Sequence, residues 1–392
     1  MQAAWRVNRA RLGLASAALL LGGCAMVQEY VQTDTDNSEP PAELIEFTPE
    51  IEVEEVWSRS VGSGTSKIYL KLRPMIADGR VYAANRNGRV SAYDAETGDE
   101  LWTSDTDVPI SGGPGGGDGL VLVGSSDGDV VALAVETGEE TWRVKVSSEV
   151  LAPPSAAEGI VVTRTVDGKL FGLNASDGVR VWVYDRTVPV LTLRGTSTPV
   201  LSSGAAVAGF DSGRMVAVSL KNGQTLWETR IAVPRGRSEL ERLVDIDADP
   251  VIEGSSVYVV TFQGRIAALD LFSGNVTWRR DMSSYAGLGV HEDNIYVTDA
   301  DSFVWALDRK NSASIWVQDK LKARGLTSPL GFQRYVVAGD FEGYVHWLSR
   351  EDGHMLARHR VDSDGIIAPP VAYKNTVFIY GKGGTLSALR VK

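Results

Sequence analysis

The residues able to carry acid–base, nucleophilic or metal chemistry are few and scattered. The 392-residue chain has four histidines, all beyond residue 290, and a single cysteine, Cys24. His291, His346, His354 and His359 fall in separate turns and strands, at no spacing that would converge on a metal. Each reads as a surface histidine or a hydrogen-bonded core histidine. One thiol excludes an intramolecular disulfide and any cysteine-rich zinc or iron–sulfur site. Asp and Glu total 50, but most stand in turns such as DAETG (94–98) and ASDG (175–178), where a carboxylate accepts backbone hydrogen bonds. There is no Gly-rich loop leading into a helix, no GxSxG elbow and no HExxH pair. Lys and Arg number 39, giving a formal charge of -11, which argues against a nucleic-acid binder that neutralises phosphates. The expectation is a protein that is not an enzyme, with no cofactor and no metal.

Cys24 stands where lipid chemistry would use it. Arg6, Arg9 and Arg11 precede an apolar run from Leu12 to Leu21 that is too short to span a bilayer, the pattern of a signal peptide. Leu21-Gly22-Gly23-Cys24 resembles the bacterial lipobox, in which the thiol is lipidated, the chain is cut before the cysteine and the new amino group is acylated. That resemblance implies a signal peptide at residues 1–23 and a lipid anchor at Cys24. Several acyl chains hold a protein stably, at roughly 0.8 kcal/mol per buried methylene. Ala25 and Met26 lack the acidic residue that resembles an inner-membrane retention signal, so the expected address is the outer membrane, facing the periplasm. Residues 24–50 are polar, acidic and proline-containing, and are expected to form a flexible tether.

The elements behind these residues are repetitive. Trp recurs at 57, 102, 142, 182, 227, 278 and 316, usually with a Gly four residues before it. Further turn glycines fall at 88, 128, 168, 213, 264, 343 and 384, with Ser302 in the equivalent sixth place. GRVYAANRNGRVSAYDAETGDELW (79–102) shows the unit: short alternating strands joined by tight turns, with no helical period. A period near 40 residues of this kind predicts an all-β fold, an eight-bladed β-propeller of four-stranded antiparallel blades over residues 51–392. The last unit ends after its third strand, and the missing strand lies around Trp57, so an N-terminal strand should pair into the last blade and close the ring. The repeated Trp are expected to plug the core between blades. Small residues at Ala92, Ala132, Gly172, Ala217, Ala268, Ala306 and Ala388 fit tight packing between blades, and Trp347, which breaks that series, should perturb the seventh blade.

Two insertions interrupt the period on adjacent blades, at 184–199 (YDRTVPVLTLRGTSTP) and 228–250 (ETRIAVPRGRSELERLVDIDADP). Both fall between a Trp strand and the next inner strand, so they should emerge side by side on one face. Leucines beside an arginine, with alternating aspartates nearby, have the make-up of a protein interaction site, though blade capping with local ion pairing would also use them.

With its lipobox, eight units, permuted closure and both inserts, the chain resembles the lipoprotein propeller subunits of the outer-membrane β-barrel assembly machinery. The most specific motifs are LTLRG (191–195), ELERLVDID (239–247), and LTSPL followed by VVAGDFEGYVHWL within 326–348. The resemblance implies a non-enzymatic scaffold that docks on the periplasmic transport domains of the barrel-forming subunit, BamA, and assists folding and insertion of outer-membrane proteins. It implies Leu191 and Leu193 as apolar anchors, Arg194 as a multidentate donor, and Asp245 and Asp247 as acceptors that orient the partner. Nascent barrel strands are a further expected partner, through β-augmentation at exposed strand edges. The repeat AYDAETGDELW also resembles the tryptophan-docking signature of quinoprotein dehydrogenases. One cysteine cannot supply the vicinal disulfide those enzymes commonly carry, which leaves that reading, and a polysaccharide-binding propeller, as the alternatives.

Overall fold

The computed structural model describes residues 39–186, 197–233, 237–238 and 244–392. Cys24, Leu191, Leu193 and Arg194 lie outside the described residues. No helix among the described residues is long and apolar enough to cross a membrane. Over 41–392 the described residues form 32 strands in eight four-stranded antiparallel sheets arranged as a ring of blades, the predicted propeller. Blades 1 to 7 occupy residues 75–105, 110–145, 155–185, 200–230, 251–281, 287–318 and 330–360. In each, an inner strand, short in most blades and eight residues long in blade 2, leads through two central strands to an outer strand. The eighth blade takes three strands from residues 371–391 and its outer strand from Val53–Ser60. There Val53 stands opposite Val391 and Ser60 opposite Thr385. The sequence expectation of permuted closure is met, and the joint leaves no unpaired edge between the first and last strands.

Every central strand is covered on both faces by neighbouring blades, so strands such as Leu120–Ser125 are buried along their whole length. Hydrophobic clusters lie between consecutive blades. One joins Trp142 of blade 2 to Val161, Phe171 and Leu173 of blade 3. All seven repeated Trp sit on outer strands, and each indole Nε1 donates to a backbone carbonyl of the following blade at 2.6–3.2 Å, as Trp142 does to Ala175. The indole thus buries its ring and satisfies its one donor together.

The glycine four residues before a Trp serves the Trp of the preceding blade. Gly178, at φ +72°, lies against the Trp142 ring so closely that a Cβ there would come within 2.7 Å of it. The small residues have a role the sequence reading missed. Ala92, Ala132, Gly172 and Ala217 stand directly across the strand pair from Trp102, Trp142, Trp182 and Trp227, leaving space for the indole within its own sheet. Blade 7 keeps the pair and exchanges its members, with Trp347 opposite Ala357. The strand pairing of blade 7 is kept, because a large and a small residue fill the same layer in either order, but among the described residues the Trp347 Nε1 donor has no hydrogen-bond partner.

The boundary of the tether also shifts. Residues 41–50 run along blades 6 and 7 as a docked strap. Ala42 N donates to Lys322 O at 2.9 Å and Glu50 N to Leu356 O at 2.8 Å. Leu44 and Phe47 pack on the core between blades 6 and 7. Arg324 Nη1 reaches the Ala42 carbonyl at 2.9 Å, and the Arg358 guanidinium lies over the Phe47 ring. Proline and acidic content suggested a solvated linker, but two apolar anchors and a guanidinium at each end are enough to dock it.

Candidate interaction site

The two inserts leave the outer strands of blades 3 and 4 from the same end, as their position in the repeat requires. Their described portions meet the ring axis. Asp249 Oδ1 of the second insert accepts the backbone N–H of Thr198 from the first at 2.6 Å. Ser197 Oγ lies 3.3 Å from Arg164 Nη1, and Arg164 Nη2 is 2.6 Å from Asp211 Oδ1. That guanidinium, almost fully buried, lies over the Phe210 ring. A buried ion pair of this kind is held by its hydrogen bonds and packing, and removal of one partner strands the other charge.

Asp245 and Asp247 are not surface groups. Val244, Asp245, Ile246 and Asp247 are all buried, with Asp245 1% and Asp247 8% exposed. Ile246 packs where a side chain on Gly209 would stand, and the Asp245 carbonyl accepts from Phe262 N at 2.9 Å. Alternating polar and apolar residues normally divide between solvent and core. Here both faces of the segment are covered, one by blades 4 and 5 and the other by the channel lining. Among the described residues Asp247 Oδ1 has no hydrogen-bond partner. Burial, with the Asp211 carboxylate nearby, pushes the Asp247 carboxyl up to about 6 against the opposing charges of Lys71 and Arg164.

Asp247 borders a cavity of about 200 Å³ at the mouth of the channel. Connections of successive blades contribute Leu151, Thr198, Val251, Leu288, Ser328 and Pro369 to its wall, which puts it on the ring axis. Its remaining side comes from the link between the first two strands of the chain. Leu70 and Leu72 of that link are buried. Between them Lys71 Nζ donates to Tyr285 O at 3.2 Å, and Arg73 pairs with Asp249 Oδ2 at 3.2 Å. Tyr69 is exposed at the rim of the cavity. The sequence reading missed these three residues. Their signal was the alternation of basic and apolar side chains in KIYLKLR (67–73), a strand-like period outside any repeat. The mouth therefore presents an apolar wall, one exposed tyrosine and four charges of both signs, a composition suited to recognising a polypeptide surface.

Elsewhere, His346 is fully buried, with Nε2 2.9 Å from Asp340 Oδ2, and burial lowers its affinity for a second proton. It is the hydrogen-bonded core histidine the sequence suggested. Turn carboxylates behave as read. Asp94 accepts from the backbone N–H of Glu96 and Thr97 at 2.8 Å, and these bonds hold its carboxyl below the usual range. Among the described residues no three His, Cys, Asp or Glu gather as metal ligands.

A family model described as outer membrane protein assembly factor BamB matches residues 53–109 and 86–318. Among curated proteins, the chain is 51% identical over 379 residues to the outer membrane protein assembly factor BamB of Pseudomonas aeruginosa, covering 97% of this chain and 98% of that one. It is 38% identical over 388 residues to that of Escherichia coli, covering 96% and 97%. A crystal structure of BamB from Moraxella catarrhalis superposes with a TM-score of 0.79 at 27% identity, over 86% of this chain and all of that one. A quinohemoprotein alcohol dehydrogenase from Comamonas testosteroni shares the fold alone, with a TM-score of 0.68 at 13% identity over 86% of this chain and 76% of that one.

Proposed function

The chain belongs to the BamB family of outer membrane protein assembly factors, and from that premise we propose that it is a non-enzymatic scaffold of the outer-membrane β-barrel assembly complex. Acyl chains on Cys24 hold it to the periplasmic side of the outer membrane once residues 1–23 are removed. It docks on the periplasmic domains of the barrel-forming subunit, BamA, and assists delivery and insertion of outer-membrane proteins. The observation that carries the docking reading is the convergence of both inserts on the channel mouth, tied by the Thr198–Asp249 hydrogen bond.

In this reading Leu191, Leu193 and Arg194 make the direct contacts. The aspartates act from beneath: Asp245 fixes the course of the second insert, and Asp247 offers its carboxylate at the cavity wall to a donor that enters it. A buried carboxylate without a partner is costly, and such groups concentrate at functional sites. Leu191→Asp or Arg194→Glu should abolish co-purification of the barrel-forming subunit while leaving the circular dichroism of the chain unchanged. Loss of a buried interface anchor commonly costs at least about 2 kcal/mol. A folded variant that still retains the subunit would overturn the loop assignment.

A further inference from the structure

The eight clefts between blades are not sealed alike at their outer rims. In four blades the residue two positions after the outer-strand Trp latches onto the turn of the next blade. Arg59 donates to the Gly98 carbonyl at 2.7 Å, Thr229 to Gly274 at 2.6 Å, Arg280 to Ser312 at 2.9 Å and Gln318 to Gly353 at 2.7 Å. The cleft between blades 1 and 2 is crossed by Arg143 to the Thr106 carbonyl at 2.7 Å, and that between blades 3 and 4 by Arg186 and Glu228, also 2.7 Å apart. In blade 2 the latch position is Val144, which has no donor. Among the described residues no side-chain hydrogen bond or ion pair joins the outer strands of blades 2 and 3, Glu140–Lys145 and Arg180–Asp185. The rim there opens into a groove of about 690 Å³ floored by Val144, Phe171 and Leu173.

The far wall of this groove is apolar and uncovered. Val179 and Val183, leading into and along the blade 3 outer strand, line it and are 61% and 44% exposed, and Val181 between them is 48% exposed. That strand is also the last of its sheet, so among the described residues one of its backbone edges has no neighbouring strand. Lys145, Lys169 and Arg180 line the groove with Asp185; Lys145 and Lys169 are each held by a neighbouring carboxylate, Asp129 at 3.4 Å and Asp167 at 2.7 Å, in a chain whose net charge is -11.

Blade 7 shows what such a site accepts. The residue before the Trp position on the outer strand is 46–56% exposed in Leu101, Val181, Leu226 and Ile315, but Leu356, in the same place on blade 7, is 8% exposed. Leu356 packs with Ile51 and Val53, which follow the strap, and the strap itself, AELIEFTPE (42–50), an extended stretch with carboxylates at Glu43, Glu46 and Glu50, seats Leu44 and Phe47 on the cluster between blades 6 and 7 that includes Met355 of the blade 7 outer strand, with a backbone hydrogen bond from Glu50 to Leu356. We propose that the groove between blades 2 and 3 is a docking site for an extended acidic–apolar peptide from another protein, seated as the strap is seated on blade 7 and adding to the open edge of Arg180–Asp185. In the scaffold reading, an unfolded β-strand held open for insertion has this chemistry. The groove is distinct from the two inserts, so a failure here leaves the docking reading standing, and the reverse.

The test uses the purified chain and a fluorescein-labelled decapeptide alternating valine and glutamate, with a control peptide of the same composition whose valines form one block. Fluorescence anisotropy should show saturable binding of the alternating peptide, weakened at least tenfold by Val183→Asp and unchanged by Leu226→Asp, a more exposed apolar site on the blade 4 outer strand. Hydrogen exchange on the unmutated chain supplies a readout independent of any variant: peptide should slow exchange along 180–185. Absence of saturable binding, equal binding to the Val183→Asp chain, or protection confined to other blades would overturn the proposal.

Discussion

Asp247 is the residue at which the molecule gives up stability. Its carboxyl lies at about 6, against an ordinary value of 3.8, because burial disfavours its charged form. The folded state therefore binds the proton more tightly than the unfolded chain. Its contribution is at its best below the unfolded value and is lost as pH rises through about 6. Asp247→Asn removes the ionisation and should raise stability at pH 7.5 by on the order of 2–3 kcal/mol, with the gain shrinking to nothing as pH falls toward 4. Chemical denaturation across that range measures it, and a gain independent of pH would show that the carboxylate is solvated after all. The buried Arg164–Asp211 pair beside it behaves in the opposite way. Asp211→Ala leaves the guanidinium uncompensated and should cost about 3–5 kcal/mol in the same assay. The position of Asp247 on the cavity wall gives a reason to keep a costly carboxylate, since a donor that enters the cavity would recover the penalty on binding.

The repeated blade was legible in the sequence because its determinants are local. A Gly at a positive-φ turn, a Trp on the outer strand and a small residue across from it are each set by one blade or two neighbours. Gly178→Ala tests this arrangement. Positive φ alone costs an alanine about 1 kcal/mol, which is all that Gly159→Ala should show, since nothing lies within 4 Å of a Cβ there. At Gly178 the Cβ also meets Trp142, so a cost of at least about 2–3 kcal/mol and a shift in tryptophan fluorescence are expected. What the sequence did not show depends on contacts between distant segments. The strap at 42–50 has no period, and the surface on which Leu44 and Phe47 bury comes from residues far along the chain, Leu321, Leu326 and Met355 among them. The surroundings of Asp247 likewise include Leu70 and Lys71, more than 170 residues away in sequence. Phe47→Ala should free the strap, read as faster hydrogen exchange at the Ala42 and Glu50 amides without loss of the ring.

At the scale of the whole ring, closure rests on a strand pair drawn from opposite ends of the sequence. Every other blade is a continuous stretch of chain, so its strands stay tethered when hydrogen bonds break. The eighth blade has no such tether, and the pairing of Val53–Ser60 with Thr385–Val391 must offset the entropy of joining them. If closure needs only that pairing, a covalent link should replace the long-range search. The geometry permits one, since Lys392 N donates to the Glu52 carbonyl at 3.1 Å. A circular permutant that joins Lys392 to Glu52 through a two- or three-residue turn and opens the chain at the hairpin between Gly254 and Ser255 turns the eighth blade into an ordinary one. Compared with an unpermuted chain starting at Glu52, it should unfold within about 1 kcal/mol of the same free energy and refold faster, because the last contact to form has become local. Deleting residues 52–60 instead leaves the Thr385–Val391 edge bare and exposes Phe378 and Ala388, where Trp57 had packed. That chain should lose its single cooperative transition and associate through the open edge, seen as high-mass species by light scattering. A deletion chain that remains monomeric and unfolds in one step would show that the ring is held by its blade-to-blade packing alone, with the joint contributing nothing.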